Sequence, residues 1–334
     1  MIRSVFTCGD INGIGPEIAI KAFQSILSNR NKNQIIFICP ENVFKFYYKK
    51  TSSKFRYNFI KISEECTSNS VNVIPLKNAK INLGKITSAS GKTAYDSVLA
   101  AIELVKNNDA DVLITSPVSK EAINKAGIKF SGHTELLAKR DGSKDFLMMF
   151  LSNDMKAALL TIHQPLKKVS SLITSKKINT AVKIINQTAA SDFGILNPKI
   201  AVLGFNPHSG ENGLIGYEEV KMIIPAINKL NKEFKVEGPL VPDAFWGNKM
   251  YSNFDFILGM YHDQILIPFK MMHFNSGVNF TAGLNIIRTS PDHGTAFNIA
   301  GKNIADPSSL IQSYKYAIKI FRNRKNYFAS SEKN

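Results

Sequence analysis

KIAVLGFNPHSGENG, residues 199–213, is a short apolar run that ends in a polar turn containing His208. The same pattern recurs twice, in AALLTIHQPL with His163 and in FDFILGMYHDQ with His262. Short apolar runs bounded by turn residues are typical of buried parallel strands. In open α/β sheets, ligands bind beyond the carboxyl ends of such strands. The three histidines are therefore predicted to lie at one edge of a parallel sheet.

Three imidazoles at one sheet edge favour a divalent metal site. Neutral imidazole is the usual protein ligand for zinc and related ions. A single histidine in a turn is more often a packing or turn residue, but here the same position recurs three times. We therefore predict that His163, His208 and His262 bind one divalent ion. Such a site also suits a metal hydrolase that activates water, so this second class of enzyme stays open.

Strands and helices alternate along most of the chain. RSVFTC is followed by the loop GDINGIG and a helix that starts at Pro16, and QIIFIC and VNVIPL are further strands. DVLITSPVSK is a strand that ends in a polar turn, ahead of the short helix KEAINKAG. Alternation of this kind predicts a doubly wound α/β architecture.

The composition favours an anionic small molecule over a nucleic acid. The chain has 334 residues and a formal net charge of +16. Its length indicates two domains or one large α/β domain. The lysines are spread along the chain, and no basic stripe interleaved with aromatic residues is present, so nucleic acid is not expected as a partner.

Membrane insertion, export and a disulfide framework are not expected. No stretch approaches the roughly 18 apolar residues of a membrane span. The start, MIRSVFTCGDING, turns polar after a few residues, unlike a signal peptide, so a cytoplasmic protein is expected. The three cysteines form no CxxC pair, which disfavours both disulfides and a thiolate zinc site.

The last third of the chain concentrates groups that recognise phosphate and carboxylate. Lys and Arg at loop positions near a cation site suit such anions. Asp243 of EGPLVPDAF adds a carboxylate, although Asp after Pro is commonly a turn former. The polar residues that stand out after His262 are Lys270, Asn279, Arg288, Asp292 and His293.

Two further loops admit both a binding and a structural interpretation. GDINGIGPE follows a strand and opens a helix, the position at which a phosphate is cradled. It is neither a G-x-G-x-x-G nor a Walker motif, so on its own a tight turn explains the loop better than a phosphate site does. The cluster GHTE, with His133 and Thr134, fits an ordinary helix start as well as a substrate contact.

Taken in order, these motifs resemble the 4-hydroxythreonine-4-phosphate dehydrogenase family of pyridoxal 5′-phosphate (vitamin B6) biosynthesis. The resemblance spans roughly residues 4–310 and is carried by GDINGIGPE, SGHTELLA, TIHQPL, GFNPHSGENGLIGYEE, EGPLVPDAF, YHDQILIPFK and GLNIIRTSPDHGTAFNIAG. The segment DHGTAFNIAGKNIADP is also similar to the adenine-side loop of the isocitrate and isopropylmalate dehydrogenase superfamily.

The resemblance implies the architecture of that superfamily. It implies two α/β domains with the active site in the cleft between them. We predict a nucleotide-side domain of residues 1–130 plus 271–334 and a metal-binding and dimerisation domain of residues 131–270. The family is homodimeric, with an active site shared between two subunits, so the partners expected are a small phosphorylated amino acid and a second copy of the chain.

The resemblance also assigns roles residue by residue. The family's metal-binding histidines match His163, His208 and His262, and the ion is zinc, magnesium or cobalt. Substrate contacts match His133, Thr134, Asp243, Lys270, Asn279 and Arg288. His133 and Lys270 are the candidates for catalytic proton transfer or electrostatic positioning. An NAD or NADP cofactor is assigned to Asn12, Gly13, Asp292 and His293.

The implied reaction is oxidation of 4-phosphooxy-L-threonine to 2-amino-3-oxo-4-(phosphooxy)butanoate. That β-keto acid then loses CO₂ to give 3-amino-2-oxopropyl phosphate, and a divalent ion stabilises the charge that develops on the oxygen. The nearest alternative is a related dehydrogenase of a phosphorylated four-carbon sugar acid, 4-phosphothreonate or 4-phosphoerythronate. The sequence departs from the family pattern at GDINGIG, Ala244 and Asn285, and none of these changes removes a predicted metal ligand.

Overall fold

A computed structural model describes residues 1–28, 33–62 and 64–331 of the chain. The chain divides into two compact units. The first unit comprises Met1–Gly142 and Asn285–Phe321, and the second comprises Ser143–Leu284 and the residues from Arg322 on. Residues 332–334, the end of the predicted nucleotide-side domain, lie outside the described residues.

The helices and strands alternate as the sequence predicts. The strands are β1 Arg3–Thr7, β2 Gln34–Pro40, β3 Tyr57–Phe59, β4 Val71–Leu76, β5 Val112–Ile114, β6 Leu147–Leu151, β7 Lys156–Leu159, β8 Lys199–Leu203, β9 Lys235–Leu240, β10 Phe256–Gly259, β11 Val278–Ala282 and β12 Arg288–Pro291. The α-helices are α1 Gly15–Ser28, α2 Glu41–Lys50, α3 Ser88–Lys106, α4 Lys120–Lys125, α5 His133–Asp141, α6 Leu166–Leu172, α7 Ser175–Phe193, α8 Ile224–Leu230, α9 Pro242–Gly247, α10 His262–His273 and α11 Ser308–Ser331.

The first unit is built on a parallel sheet with the strand order β3-β4-β2-β1-β5-β12. Phe6 of β1 lies beside Phe37 of β2 and is fully buried. Phe23 of α1 packs edge-on against both rings, with centroids 5.0 and 5.1 Å away. Burial of these rings holds α1 on the sheet and fixes the loop between β1 and α1.

The second unit has the strand order β11-β6-β7-β10-β8-β9. Strands β7, β10, β8 and β9 run parallel to one another, whereas β6 is antiparallel to both β7 and β11. A buried apolar cluster joins the sheet to α9 and α10, and it includes Leu159, Leu203, Phe245, Ile257 and Phe269. The strands predicted before His163, His208 and His262 are confirmed as β7, β8 and β10.

The two-domain α/β class predicted from the sequence is confirmed by these two units. Their bounds differ from the predicted bounds at three places, because α5 lies in the first unit, whereas β11 and the residues from Arg322 on lie in the second. The reason for the second difference is that β11 pairs with β6 along its whole length. The nucleotide and dimerisation roles given to the two domains stay predictions.

Two general expectations can be compared with the described residues. No helix in the described part of the chain is long and apolar enough to cross a membrane. Cys8, Cys39 and Cys66 are all free thiols, and the first two are buried. Burial of Cys39 raises the pKa of its thiol well above the usual value, which keeps it protonated.

Gly91 allows α3 and α4 of the first unit to pack backbone against backbone. A Cβ on Gly91 would lie 2.0 Å from the carbonyl oxygen of Ala122 in α4. That distance is far inside van der Waals contact, and the obstructing atom belongs to the backbone. Only glycine therefore fits at this position, and it fixes where α4 begins.

We expect Gly91→Ala to lower the free energy of unfolding by about 1–3 kcal/mol, because the added methyl group forces α3 and α4 apart. In an open helix the same change would instead stabilise by roughly 0.5–1 kcal/mol. Urea denaturation measures the difference. Gly247→Ala is the matched control, because a Cβ there meets no atom within 4 Å. Equal stability of the two variants would contradict the packing described for Gly91.

Candidate active site

The three predicted metal ligands follow three neighbouring parallel strands. In the order β7-β10-β8, these strands lead into His163, His262 and His208, respectively. The carboxyl ends of parallel strands share one edge of a sheet, so all three side chains leave the sheet at the same edge. The side chains of all three are exposed.

His163 and His262 already lie together. Their ring centroids are 6.1 Å apart. With metal–nitrogen bonds of about 2.0–2.1 Å, two imidazoles on one ion have centroids roughly 5–6 Å apart. The Nδ1 atom of His262 is 2.6 Å from a carboxylate oxygen of Asp263, a contact of the kind that orients metal-binding histidines. These two histidines therefore fit a shared divalent ion.

His208 does not complete a three-donor group in this chain. Among residues 1–28, 33–62 and 64–331, no three His, Cys, Asp or Glu side chains are placed to hold a metal ion. His208 lies in the turn Pro207–Gly213, where its φ of 50° begins five consecutive residues in the left-handed region. The assignment of all three histidines to one ion therefore stays a prediction.

The turn that carries His208 is held by Glu219, which is almost completely buried. Its Oε1 accepts hydrogen bonds from the backbone N–H groups of Phe205 and Asn206, both at 2.7 Å. Its Oε2 accepts a third from the side-chain amide of Asn206 at 2.8 Å. A Cβ on Gly210 would lie 2.7 Å from the same Oε2, so the turn also packs directly on this carboxylate.

Asn279 lies near the amino ends of the strands in this sheet, whereas the histidines follow the carboxyl ends. It pairs with Phe150 of β6, which in turn pairs with Ala157 near the start of β7. His163 follows the far end of β7. Asn279 is therefore level with the amino ends of the strands, whereas the histidines follow the carboxyl ends.

Lys270 lies in the last turn of α10, away from the carboxyl ends of the strands where His262 begins the helix. It lies eight residues after His262, which is about 12 Å along an α-helix. The last residue of α10, His273, has its Nε2 3.1 Å from Asp154 in the turn between β6 and β7. Asp243, by contrast, is exposed on the first turn of α9, a helix that contacts the turn Pro207–Gly213.

Arg288 is a buried cation of the first unit. It is only 4% exposed, and its Nε and Nη2 donate to the hydroxyl of Thr115 at 3.0 and 2.7 Å. Burial lowers the pKa of Arg288 to about 10, and Glu135 acts in the opposite direction. The guanidinium is therefore still charged at neutral pH, and this buried charge suits an anionic ligand.

His133 and Thr134 begin α5, close enough to Arg288 for its charge to act on the His133 ring. The Nε2 atom of His133 is buried and has no hydrogen-bond partner among the described residues. Burial, followed by the charges of Arg288 and Lys120, lowers the pKa of His133 well below its usual value. The ring is thus neutral at physiological pH, and its buried Nε2 lacks the hydrogen bond that a buried polar atom usually makes and that a ligand would supply.

The predicted cofactor residues fall in two loops of the first unit that pack together. A Cβ on Gly13 would lie 2.7 Å from the carbonyl oxygen of Thr295, and Ile14 N–H donates to that oxygen at 3.0 Å. The backbone N–H of Asp292 donates to Ser309, and His293 lies next in the chain. The two segments that the sequence assigns to the cofactor are therefore neighbours.

Asn12 has a structural function in the first of these loops. It is fully buried, its side-chain oxygen accepts from Asn82 N–H at 2.7 Å, and its amide donates to Lys85 and Thr87 at 2.8 and 3.1 Å. These bonds tie the loop to the segment ahead of α3. Its direct contact with a cofactor stays a prediction.

Sequence reasoning did not single out Thr115, Lys120 or Glu219. Thr115 and Lys120 both belong to the motif TSPVSK, which was interpreted only as a polar turn. Glu219 closes GFNPHSGENGLIGYEE, a motif in which only His208 was interpreted. The sequence held a signal for each of them. Thr115 directly follows a strand, Lys120 ends the same motif, and Glu219 lies in a motif that carries the family resemblance.

Fold and site together define a two-unit α/β protein with imidazole donors at one sheet edge and a buried arginine beside a histidine at the start of α5. A sequence model of the family described as "Pyridoxal phosphate biosynthetic protein PdxA" matches residues 31–317. The chain belongs to this family, which confirms the resemblance found in its motifs.

Individual relatives match over nearly the whole chain. The 4-hydroxythreonine-4-phosphate dehydrogenase of Sulfurihydrogenibium sp. (strain YO3AOP1) is 40% identical over 97% of this chain and 100% of the relative. A putative D-threonate 4-phosphate dehydrogenase of Oceanobacillus iheyensis is 36% identical over 94% of this chain and 96% of the relative. The crystal structure of 4-hydroxythreonine-4-phosphate dehydrogenase from Klebsiella pneumoniae superposes with a TM-score of 0.83 at 30% identity, covering 96% of this chain and 100% of that one.

We expect Glu219→Gln to lower the free energy of unfolding by about 1–3 kcal/mol, because the new amide donor faces the side-chain amide of Asn206. The same change should weaken Zn²⁺ binding by roughly 10-fold or more, since His208 loses its support. Urea denaturation and titration calorimetry measure the two effects. Glu233→Gln, an exposed acid of the same unit, is the control. Unchanged stability and affinity in Glu219→Gln would show that the carboxylate does not hold the turn.

Proposed function

We propose that this chain is an NAD(P)-dependent 4-hydroxythreonine-4-phosphate dehydrogenase of pyridoxal 5′-phosphate biosynthesis. The observation that carries the proposal is the placement of three motif histidines after three neighbouring parallel strands, in a chain that belongs to the PdxA family. Relatives that carry this enzyme's name match it over nearly its full length. The proposed substrate is 4-phosphooxy-L-threonine, and a cytoplasmic location stays a prediction.

The proposed cofactors are a nicotinamide dinucleotide and one divalent ion, which is zinc, magnesium or cobalt. When bound, they supply a hydride acceptor and a Lewis acid for oxidation of the C3 alcohol. His163 and His262 would hold the ion, with His208 as the third donor. The loops of Gly13 and of Asp292 and His293 would hold the nucleotide, and Asn12 would maintain the first loop.

The chain's own residues bind and orient the substrate. Arg288 presents a buried positive charge, and Thr115 fixes the plane of its guanidinium by two hydrogen bonds. His133 is held neutral, so its buried Nε2 can accept a proton or a hydrogen bond from a substrate hydroxyl. Thr134, Asp243, Lys270 and Asn279 are proposed as the remaining substrate contacts.

The product of oxidation is 2-amino-3-oxo-4-(phosphooxy)butanoate, a β-keto acid. We propose that it loses CO₂ to give 3-amino-2-oxopropyl phosphate. The second candidate is oxidation of a phosphorylated sugar acid, 4-phosphothreonate or 4-phosphoerythronate. It is favoured by the similarity to the putative D-threonate 4-phosphate dehydrogenase. The two candidates differ in whether an ammonium or a hydroxyl group stands on C2.

The separation of residues in the second unit supports a homodimer with shared active sites. Lys270 and Asn279 lie towards the amino ends of the strands, whereas the histidines lie at the carboxyl ends. We therefore propose that Lys270 and Asn279 reach the substrate from a second copy of the chain. Exposed apolar side chains accompany both groups, with Leu214 and Tyr217 following His208 and with Met271 and Phe274 following Lys270. A second copy of the chain would cover such surfaces.

The first test of the proposed function is the formation of NADH or NADPH from 4-phosphooxy-L-threonine. Wild-type protein with a divalent ion should form the reduced cofactor, and EDTA should abolish the reaction. His163→Ala should abolish turnover and weaken metal binding measured by calorimetry, because one of the few protein donors is lost. Gln164→Ala, at the exposed neighbouring residue, is the matched control.

The substrate panel for this test includes 4-phosphothreonate and 4-phosphoerythronate. Faster turnover of either acid would favour the second candidate. Absence of NAD(P)H formation with all three substrates, together with metal-dependent hydrolysis, would overturn the dehydrogenase proposal. Unchanged metal affinity in His163→Ala would remove this histidine from the ligand set.

The second test mixes two inactive variants, His163→Ala and Lys270→Ala. If each active site combines the histidines of one chain with Lys270 of the other, half of the dimers are mixed and each carries one intact site. The mixture should then recover about a quarter of wild-type activity. Subunit exchange is verified by mass spectrometry.

The matched control for this experiment pairs His163→Ala with His262→Ala. Both changes lie on the same edge of the sheet, so every dimer lacks a complete histidine set and no activity should return. Recovery in the control, or none in the test mixture after proven exchange, would contradict a shared site.

A further inference from the structure

Lys120 is a cation to which the proposed function assigns no role. It is the first residue of α4, and its side chain is exposed. Its neighbouring acid is Glu135, since a Cβ on Gly132 would lie 2.5 Å from Glu135 Oε2 and 3.4 Å from Lys120 Nζ, but within the described residues the two form no ion pair. Lys125 on the same helix is different, because it pairs with Glu121 at 2.8 Å. The charge of Lys120 is therefore available for a ligand.

The chain places this ammonium group at the start of α5. A Cβ on Gly132 would lie 3.4 Å from Lys120 Nζ, and Gly132 directly precedes His133. Lys120 and Arg288 also approach the same loop. Arg288 donates to Thr115 at the beginning of the loop that follows β5, and Lys120 follows the end of that loop. Two cations and the unpartnered Nε2 of His133 thus surround one position in the first unit.

The hydrogen-bond donors at this position favour a phosphate group. Lys120 and Arg288 supply two positive charges, and Glu135 supplies one negative charge nearby. A phosphate monoester carries about −1.5 to −2 charges at pH 7, whereas a carboxylate carries only one. Lysine is a compact point charge that suits phosphate, and arginine adds directed hydrogen bonds. With Glu135 counted, the net charge is +1, so charge balance does not select phosphate; its three acceptor oxygens do, because one phosphate group can accept hydrogen bonds from both Lys120 and Arg288.

We propose that Lys120 is a substrate-binding residue that, together with Arg288, holds the phosphate group of the substrate at the start of α5. This inference rests on the proposed function for the identity of the substrate, but the phosphate site itself is defined by Lys120, Gly132, His133 and Arg288. Gly91 contributes indirectly, because its close contact with Ala122 fixes the position of α4 and hence of Lys120.

The proposal is tested with Lys120→Met, Lys120→Arg and the control Lys125→Met. The measured quantities are kcat/KM for 4-phosphooxy-L-threonine and the inhibition constants of inorganic phosphate and of 4-hydroxythreonine, which lacks the phosphate. Lys120→Met should lower kcat/KM and raise the inhibition constant of phosphate by about tenfold or more, as expected for a charged hydrogen bond. Inhibition by 4-hydroxythreonine should be unchanged.

The controls separate phosphate recognition from a general effect of charge or folding. Lys120→Arg should keep most of the affinity for phosphate, and Lys125→Met should behave like the wild type. Equal losses for phosphate and 4-hydroxythreonine, or no loss for either, would overturn the assignment. If the wild type does not oxidise the substrate, the proposed function fails. Equilibrium binding of inorganic phosphate to the wild type and to Lys120→Met then still decides the role of Lys120.

Discussion

The parallel pairing of β7, β10 and β8 is the constraint on which the candidate metal site depends. Backbone hydrogen bonds fix these three strands side by side and in one direction. Each strand is buried, so its polar turn has to emerge at the carboxyl edge, and each turn carries one histidine. The same constraint returns α10 to the opposite edge, where β11 begins, because a helix after a parallel strand runs back along the sheet. The predicted metal ligands and the predicted substrate residues Lys270 and Asn279 therefore lie towards different ends of the strands within one copy of the second unit.

The sequence predicted the strands and their histidines because both signals are local. An apolar run followed by a polar turn appears directly in the residue order, and three such runs were recognised at β7, β8 and β10. The separation of Asn279 from His163 was not predicted, since it depends on the antiparallel strand β6 between β11 and β7. Strand direction and order are tertiary properties that a residue pattern does not contain. The placement of α5 in the first unit was missed for the same reason.

The charge states of Arg288 and His133 in the first unit follow from their burial. Arg288 remains charged in a nearly inaccessible position, which is costly unless partners or a ligand compensate the charge. Thr115 provides neutral acceptor capacity, and Glu135 provides a partial counter-charge. The same surroundings make a protonated His133 unfavourable, so the fixed positive charge of Arg288 lies beside a neutral imidazole. An entering anion meets donors that are already in place, and few groups have to reorganise.

The turn at Pro207–Gly213 shows how the fold supports an unfavourable backbone next to its chemistry. His208, Ser209, Glu211 and Asn212 all adopt left-handed backbone angles, which cost about 1–2 kcal/mol per residue in such a run. The chain's own conformational preference therefore opposes this geometry. Three hydrogen bonds to the buried carboxylate of Glu219 anchor the residues just before the turn and offset part of that cost. The position of His208 is consequently determined by an acid eleven residues further along the chain, so if His208 binds a metal as predicted, the affinity is expected to depend on that acid as well as on the histidines.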